Sequence, residues 1–248
     1  MPKISIITAV VAGKDDYLNE TWQSLVDQEL PAGWDFEWII QEDGTTGEPR
    51  KRLAADDPRI DYGMGTWSRA ASARTLAAGR ITGRYVRALD ADDVLLPGAL
   101  ARDIEVLERE PVGWVVSPAI DLHEDGSLVP GPRDPDPGLL PDQMLFDGEA
   151  AGEMPVLGTT MTGRTELIHA LGGWPAIPRG EDAAIVVAME AVSPGWMQAE
   201  PSIYYRRWPA QTTADGKIFD LAYAAPTLAR AKALRALGWR WTPTHASV

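Results

Sequence analysis

Short apolar, β-branched runs alternate with helical stretches from residue 4 to residue 117, and that alternation restricts this part of the chain to a mostly parallel sheet covered by helices. Ile4 to Ala9, Phe36 to Gln41, Ile60 to Tyr62, Tyr85 to Leu89 and Gly113 to Ser117 read as strands. Between them, Leu18, Trp22, Leu25 and Val26 mark one face of a helix that Asp15 or Asp16 can cap and that ends near Gln28. Ala70 to Ala78 is a small-residue helix suited to close packing on a sheet, and Pro97 to Glu110 is the next helix. Right-handed crossovers put the loops after the strands on one edge. Thr8–Gly13, Glu42–Gly47 and Asp90–Asp93 are therefore expected to lie close in space.

The strand Tyr85–Leu89 ends abruptly in Asp90-Ala91-Asp92-Asp93, three carboxylates in four positions. Strand ends of this kind are where open α/β sheets bind ligands. Neighbouring carboxylates repel each other unless a cation or solvent relieves them. Asp90 and Asp92, two apart, can approach one divalent ion together with diphosphate oxygens, and hard oxygen ligands suit Mg²⁺ or Mn²⁺. A second reading stays open: Pro97 follows at a first-turn position, and acidic residues favour a helix N-terminus.

Composition narrows the function. The 248 residues are enough for one full α/β core or two small domains, and 45% hydrophobic residues is a globular fraction. No 18-residue apolar run predicts a transmembrane helix, and Met1-Pro2-Lys3 leads directly into a strand rather than a signal peptide. The absence of cysteine excludes disulfides and thiol catalysis. A cytoplasmic address is the default expectation. A net charge of −13 argues against nucleic acid or an anionic membrane as main partner, so a phosphate-bearing substrate would need Arg, backbone amides or a metal. The ten tryptophans are expected in the core, in subunit contacts such as those of a homodimer, and at one or two site positions.

The second half changes character. His123-Glu124-Asp125-Gly126-Ser127 reads as a hairpin turn, and Pro130 to Pro141 as a loop or rim. A strand is expected around Val156 to Thr162, a tight turn at Gly172-Gly173-Trp174-Pro175, a helix from Glu181 to Ala191, a short strand from Ile203 to Arg206, and a long helix from Ile218 to Leu237. No repeat and no linker divides the chain.

The order of these motifs resembles the inverting, family-2 nucleotide-sugar glycosyltransferases of the GT-A fold. The resemblance rests on Ile4-Ser5-Ile6-Ile7-Thr8; on Glu42-Asp43-Gly44-Thr45, where the family usually has Asp-Asp-Gly-Ser; and on Ala71-Ser72-Ala73-Arg74-Thr75, where it usually has Ala-Arg-Asn. It continues through Leu89-Asp90-Ala91-Asp92-Asp93, Leu171-Gly172-Gly173-Trp174, Gly180-Glu181-Asp182 and Tyr204-Tyr205-Arg206-Arg207-Trp208-Pro209. It spans residues 3 to about 213. It implies an α/β, Rossmann-like mixed and mostly parallel sheet in a single domain. Residues 1–118 would be the nucleotide-sugar-binding half, 119–215 the acceptor half, and 216–248 a C-terminal helix and tail.

The resemblance also implies roles. Glu42 or Asp43 would accept a hydrogen bond from the nucleotide base, which agrees with a pyrimidine ring N–H being a donor. The alternative is an ordinary solvated turn, Asp-Gly being a common one, and the context favours the site. Thr8 and Ala9 would lie under base or ribose, unless Thr8 is simply a strand-end threonine. Arg74 would meet the diphosphate or the base, or else be a surface arginine. Asp92 would be the direct ligand of Mn²⁺ or Mg²⁺; Asp90, with Ala91 beside it, would bind ribose hydroxyls or a metal-bound water. Asp182 would be the base that takes the acceptor proton, with Glu181 as its neighbour; without the resemblance, both are helix caps. Gly173, Trp174 and Trp208 would line the acceptor side. The expected partners are a UDP-, dTDP- or GDP-sugar and an acceptor hydroxyl on a small molecule or glycan precursor.

Three departures stand out. Trp208 occupies the place of a frequent metal-ligating His and cannot ligate, so fewer groups would hold the metal, or His245 would reach in. Glu42 and Thr45 replace Asp and Ser, and Thr75 replaces Asn. Two other classes compete. A sugar-nucleotide nucleotidyltransferase would carry a Gly-rich basic loop after the first strand, which Ala9-Val10-Val11-Ala12-Gly13-Lys14 matches poorly. A non-catalytic binding module is at odds with Asp90, Asp92, Glu181 and Asp182.

Overall fold

The computed structural model describes residues 1–131, 134–209, 211 and 221–242. Its first five strands are β1 (Lys3–Val10), β2 (Asp35–Asp43), β3 (Ile60–Gly65), β4 (Tyr85–Ala88) and β5 (Val94–Leu95). They are separated by α1 (Leu18–Val26), α2 (Glu48–Arg52) and α3 (Arg69–Ala78). Then follow α4 (Ala99–Arg109), β6 (Trp114–Val116), β7 (Ala119–His123), β8 (Leu128–Pro130), β9 (Gly138–Leu139) and α5 (Met144–Ala151). The remainder is a 3₁₀ turn (Gly158–Thr160), β10 (Thr162–Arg164), α6 (Thr165–Ala170), α7 (Glu181–Glu190), β11 (Gly195–Met197), β12 (Ile203–Arg207) and α8 (Leu221–Ala236).

Eight strands form one mixed sheet in the order β3-β2-β1-β4-β10-β6-β11-β9. β1 runs parallel to both β2 and β4, and β3 parallel to β2, whereas β10 inserts antiparallel between β4 and β6. A second sheet, β5-β12-β7-β8, was not expected. Successive residues of the central strands face opposite sides of a pleated strand. Ile6, Trp38, Ile40 and Tyr85 enter one buried cluster, closed by Leu18 and Leu25 of α1 and by Leu100, Ile104 and Leu107 of α4. Ile7, Ile39, Val86 and Ala88 enter the other, under Ala71 and Ala77 of α3 and Ile185 to Met189 of α7. Both faces being covered explains why these strands read as unbroken apolar runs.

Several expectations shift. Val26 is 40% exposed, because the buried stripe of α1 runs through Leu18, Thr21, Ser24 and Leu25. Asp15 does not cap that helix; its Oδ1 accepts from the Gly13 amide. The strand expected over Val156 to Thr162 is a 3₁₀ turn followed by β10, which starts only at Thr162. Gly158 explains the turn: a Cβ there would stand 2.7–2.9 Å from the Asp182 backbone and its Cβ, so this segment packs backbone to backbone against the start of α7. The hairpin turn at His123–Ser127 joins β7 to β8, and the Asp125 side chain accepts from the Ser127 amide. The expected helix from Ile218 falls partly outside the described residues, as does His245. Among the described residues, no helix is long and apolar enough to cross a membrane.

Candidate active site

The C-terminal ends of β1, β2 and β4 share one edge: Val10 lies opposite Glu42, and Ile7 opposite Ala88. Thr8 ties this edge together. It is fully buried, donates to the Leu89 carbonyl at 2.9 Å and accepts from Trp38 Nε1 at 2.8 Å. Its hydroxyl therefore holds two strands in register beneath the edge, next to the half-buried Ala9.

The two acids ending β2 each organise backbone. Glu42, 1% exposed, accepts from the amides of Thr46 and Gly47 and from the hydroxyls of Thr46 and Tyr62, at 2.7–2.9 Å. Burial would raise its pKa, but these donors outweigh it and hold the carboxyl below its ordinary value. Asp43, 9% exposed, accepts from the amides of Ser68 and Arg69 at 2.5 and 3.0 Å. It pins the start of α3, where Arg69 adopts φ of 75°, a left-handed conformation that non-glycine residues rarely hold unaided.

Arg74 is the centre of the site. α3 carries it inward on the face that packs against the sheet, and its side chain is 3% exposed. One guanidinium nitrogen donates to Asp90 Oδ1 at 2.5 Å. The other donates to Glu181 Oε1 at 2.6 Å and lies 3.4 Å from Asp182 Oδ1. Burial alone would lower its pKa, but the charges of Asp182, Asp90 and Glu181 outweigh that and raise it further. Residues 107 positions apart are thus joined by one side chain.

Glu181 and Asp182 occupy the first turn of α7 after Gly180, whose φ is 78°. Acidic residues suit that end of a helix dipole. Asp182 Oδ1 accepts from Trp174 Nε1 at 3.0 Å. Burial, reinforced by Glu181 and Asp90, pushes its carboxyl up to about 7 against the opposing pull of Arg74 and Trp174. Trp174 is 2% exposed; its carbonyl accepts from Thr75 on α3, and Gly173 packs against the same threonine.

The fourth-strand acids differ from one another. Asp92 Oδ2 accepts from Trp208 Nε1 at 2.7 Å. Burial and the Asp90 charge raise the Asp92 carboxyl, with Trp208 opposing. Asp93 points inward: it is 1% exposed, accepts from the Arg206 amide at 3.0 Å, and its Oδ2 has no hydrogen-bond partner. Ala91, also buried, separates the two directions. Arg206 went unassigned in the sequence, yet it fixes this loop: Nε donates to the Asp92 carbonyl and Nη2 to Glu20, while its guanidinium lies 3.9 Å from the centre of the Tyr17 ring. The sequence signals for it were its place in the Tyr204–Pro209 motif and at the end of the strand expected over Ile203 to Arg206. Trp208 packs edge-on against Tyr17.

Asp90 and Asp92 offer hard carboxylate oxygens of the kind Mg²⁺ and Mn²⁺ select. Among the described residues, no group of three or more His, Cys, Asp or Glu side chains is arranged to hold a metal ion. A cation here would take the rest of its coordination from substrate oxygens and water. Burial first, and the charge of Asp90 second, raise the Asp92 carboxyl, and a cation between Asp90 and Asp92 would relieve the second of these, so the donor pair fits a divalent ion.

The glycine behind Asp182 gives a direct check of this geometry. Gly158→Ala should lower unfolding free energy by about 1–3 kcal/mol, the usual cost of overpacking. It should also displace the start of α7. Gly79→Ala, whose added methyl meets nothing closer than 3.4 Å, should stay near the parent. Urea unfolding of the two variants compares them, and equal stability would contradict the close approach.

The sequence model described as Glycosyl transferase family 2 matches residues 5–163. No curated protein matches the chain. Among solved structures, S. aureus TarS 1-349 in complex with UDP superposes with a TM-score of 0.65 at 17% identity, over 95% of this chain and 70% of that one. The same protein in complex with UDP-GlcNAc gives 0.67 at 16% identity, over 95% and 71%. At such identity the likeness speaks for the GT-A fold alone.

Proposed function

The chain belongs to glycosyl transferase family 2, and on that premise we propose that it is an inverting, metal-assisted transferase moving a sugar from a nucleoside diphosphate to an acceptor hydroxyl. The observation carrying this reading is the Arg74 bridge, which joins the strand-end Asp90 to the Glu181-Asp182 pair on α7. A donor-side carboxylate and a candidate base held by one guanidinium is what a transferase needs to bring two substrates together.

Asp182 takes the proton of the attacking acceptor hydroxyl. The acceptor oxygen bonds to the anomeric carbon from the face opposite the departing nucleoside diphosphate, whose bond to that carbon breaks. A carboxyl near 7 is well matched to a general base at neutral pH. Trp174 and Arg74 orient it through the contacts described above. Asp90 and Asp92 would hold Mn²⁺ or Mg²⁺, which when bound stabilises negative charge developing on the diphosphate. Asp43, less deeply buried than Glu42, is the better placed of the two to meet a base N–H; Glu42 keeps the loop in shape. Because TarS has been solved with UDP and UDP-GlcNAc, a UDP-sugar is the favoured donor ahead of dTDP- or GDP-sugars.

Inversion is tested by proton NMR of slow donor hydrolysis, with water as acceptor. A donor of α configuration should first release the β sugar, before mutarotation mixes the anomers. First release of the α sugar would contradict the mechanism.

A further inference from the structure

We propose that a cavity on the far side of Trp174 is an anion-binding subsite for the acceptor, with Arg230 as the residue that receives a phosphate or carboxylate group. This inference rests on the transferase reading of the neighbouring carboxylates.

The cavity has a volume of about 550 Å³ and is walled by Thr75, Leu76, Leu171, Trp174 and Arg230, among others. It shares two elements with the candidate active site. On α3, Arg74 reaches the carboxylates while the next residue, Thr75, faces the cavity and binds the Trp174 carbonyl. Trp174 closes the cavity on one side and donates to Asp182 on the other. An acceptor group seated here is thus one side chain removed from the proposed base.

Among the described residues, Arg230 forms no ion pair with a carboxylate. It projects from α8, and Nη2 donates to the Leu171 carbonyl at the end of α6. Burial pushes its guanidinium below the ordinary arginine value, and no carboxylate charge among the described residues offsets that. Arg235, further along the same helix, shows the contrast: it lies 3.1 Å from Glu190 and 3.7 Å from Asp142. A guanidinium offers five N–H donors in a plane, and among the described residues the Leu171 carbonyl takes one of them. A partly desolvated cation beside Leu76, Leu171 and Trp174 is costly until an anion meets it, and bidentate pairing with phosphate or carboxylate is what its geometry favours.

Calorimetry tests this with three sugars of similar size: glucose 6-phosphate, glucuronate and glucose. At least one charged sugar should bind the parent roughly ten- to a hundred-fold more tightly than glucose, the range for hydrogen bonds to charged groups. That affinity should persist when UDP is saturating, because the subsite is distinct from the place of the diphosphate. Arg230→Met should lose the preference, and Arg230→Lys, which keeps the charge and guards against a folding defect in the first variant, should retain part of it. Both variants should bind UDP as the parent does. Preference for the phosphate ester identifies a phosphorylated acceptor, and preference for glucuronate an acidic sugar. Equal binding of charged and neutral sugars, displacement by UDP, or unchanged preference in Arg230→Met would each overturn the proposal. Absence of binding by the parent to UDP, dTDP and GDP alike in the presence of Mn²⁺ would instead strike at the transferase reading.

Discussion

Arg74→Met is expected to lose on the order of 3–5 kcal/mol of unfolding free energy, the cost of breaking a buried ion pair by removing one partner. The substitution keeps much of the volume and removes the charge. It leaves Asp90, Glu181 and Asp182 facing one another without the cation that now lies 2.5–3.4 Å from each. Arg74 is 3% exposed and its three carboxylate partners 13–29%, so solvent screens this cluster less than it would a surface pair. Arg74→Lys should recover only part of the loss, since one ammonium cannot span both sides of the cluster as a planar fork does. Urea denaturation of the parent and both variants decides it. A loss under about 1 kcal/mol in Arg74→Met, the scale of surface pairs, would show that the cluster is already relieved by solvent.

Asp182→Asn should reduce turnover by about 10²–10⁴-fold, the usual contribution of a general base. Donor affinity should hardly change, because Asp182 belongs to the acceptor side. The pH dependence has a definite sign. The folded carboxyl keeps its proton up to about 7, whereas an unperturbed aspartate releases it near about 3.9. The parent's turnover should therefore rise with pH through about 7, as the base becomes ionised. Stability linked to this group runs the other way: it is fully present below the unfolded value and is lost as pH rises through the folded one. Asp182→Asn removes that decline, so above neutrality the variant should be at least as stable as the parent. Turnover in Asp182→Asn within a factor of about three of the parent, well under the general-base range, would move the base to Glu181.

The sequence carried the strands well where burial on both faces made them uniformly apolar, as in Ile4-Ser5-Ile6-Ile7 and Trp38-Ile39-Ile40. It carried the segment Val156–Thr162 badly. Val156, Leu157 and Met161 look like a strand, but what shapes the segment is Gly158 meeting α7, a contact formed only in three dimensions. α5 went unread because its apolar residues follow a proline-rich stretch, and its entry residue Gln143 has φ of 67°, for which the sequence offers no glycine signal. Arg87 is similar. It sits in a strand read as apolar, yet it is fully buried on Asp103 at 2.8 Å, a partner 16 positions away. At the site, the acidic strand end and the Gly-Glu-Asp start of α7 were legible as residue types in a given order. Their convergence on Arg74 was not, because no local pattern records which way a helical arginine points. Likewise Trp208 read as a missing metal ligand, whereas its indole N–H holds an oxygen of Asp92.

Calorimetric titration with UDP, dTDP and GDP, in the presence and absence of Mn²⁺, decides whether the Asp90–Asp92 strand end binds a nucleoside diphosphate through a metal. At least one nucleoside diphosphate should bind with Mn²⁺ and far more weakly without it. Asp92→Asn should lose that metal-assisted binding, and Asp93→Asn, whose side chain points into the protein, should keep it. Absence of binding to all three nucleotides with Mn²⁺ or Mg²⁺ would contradict metal-assisted donor binding, as would donor binding that survives Asp92→Asn unchanged.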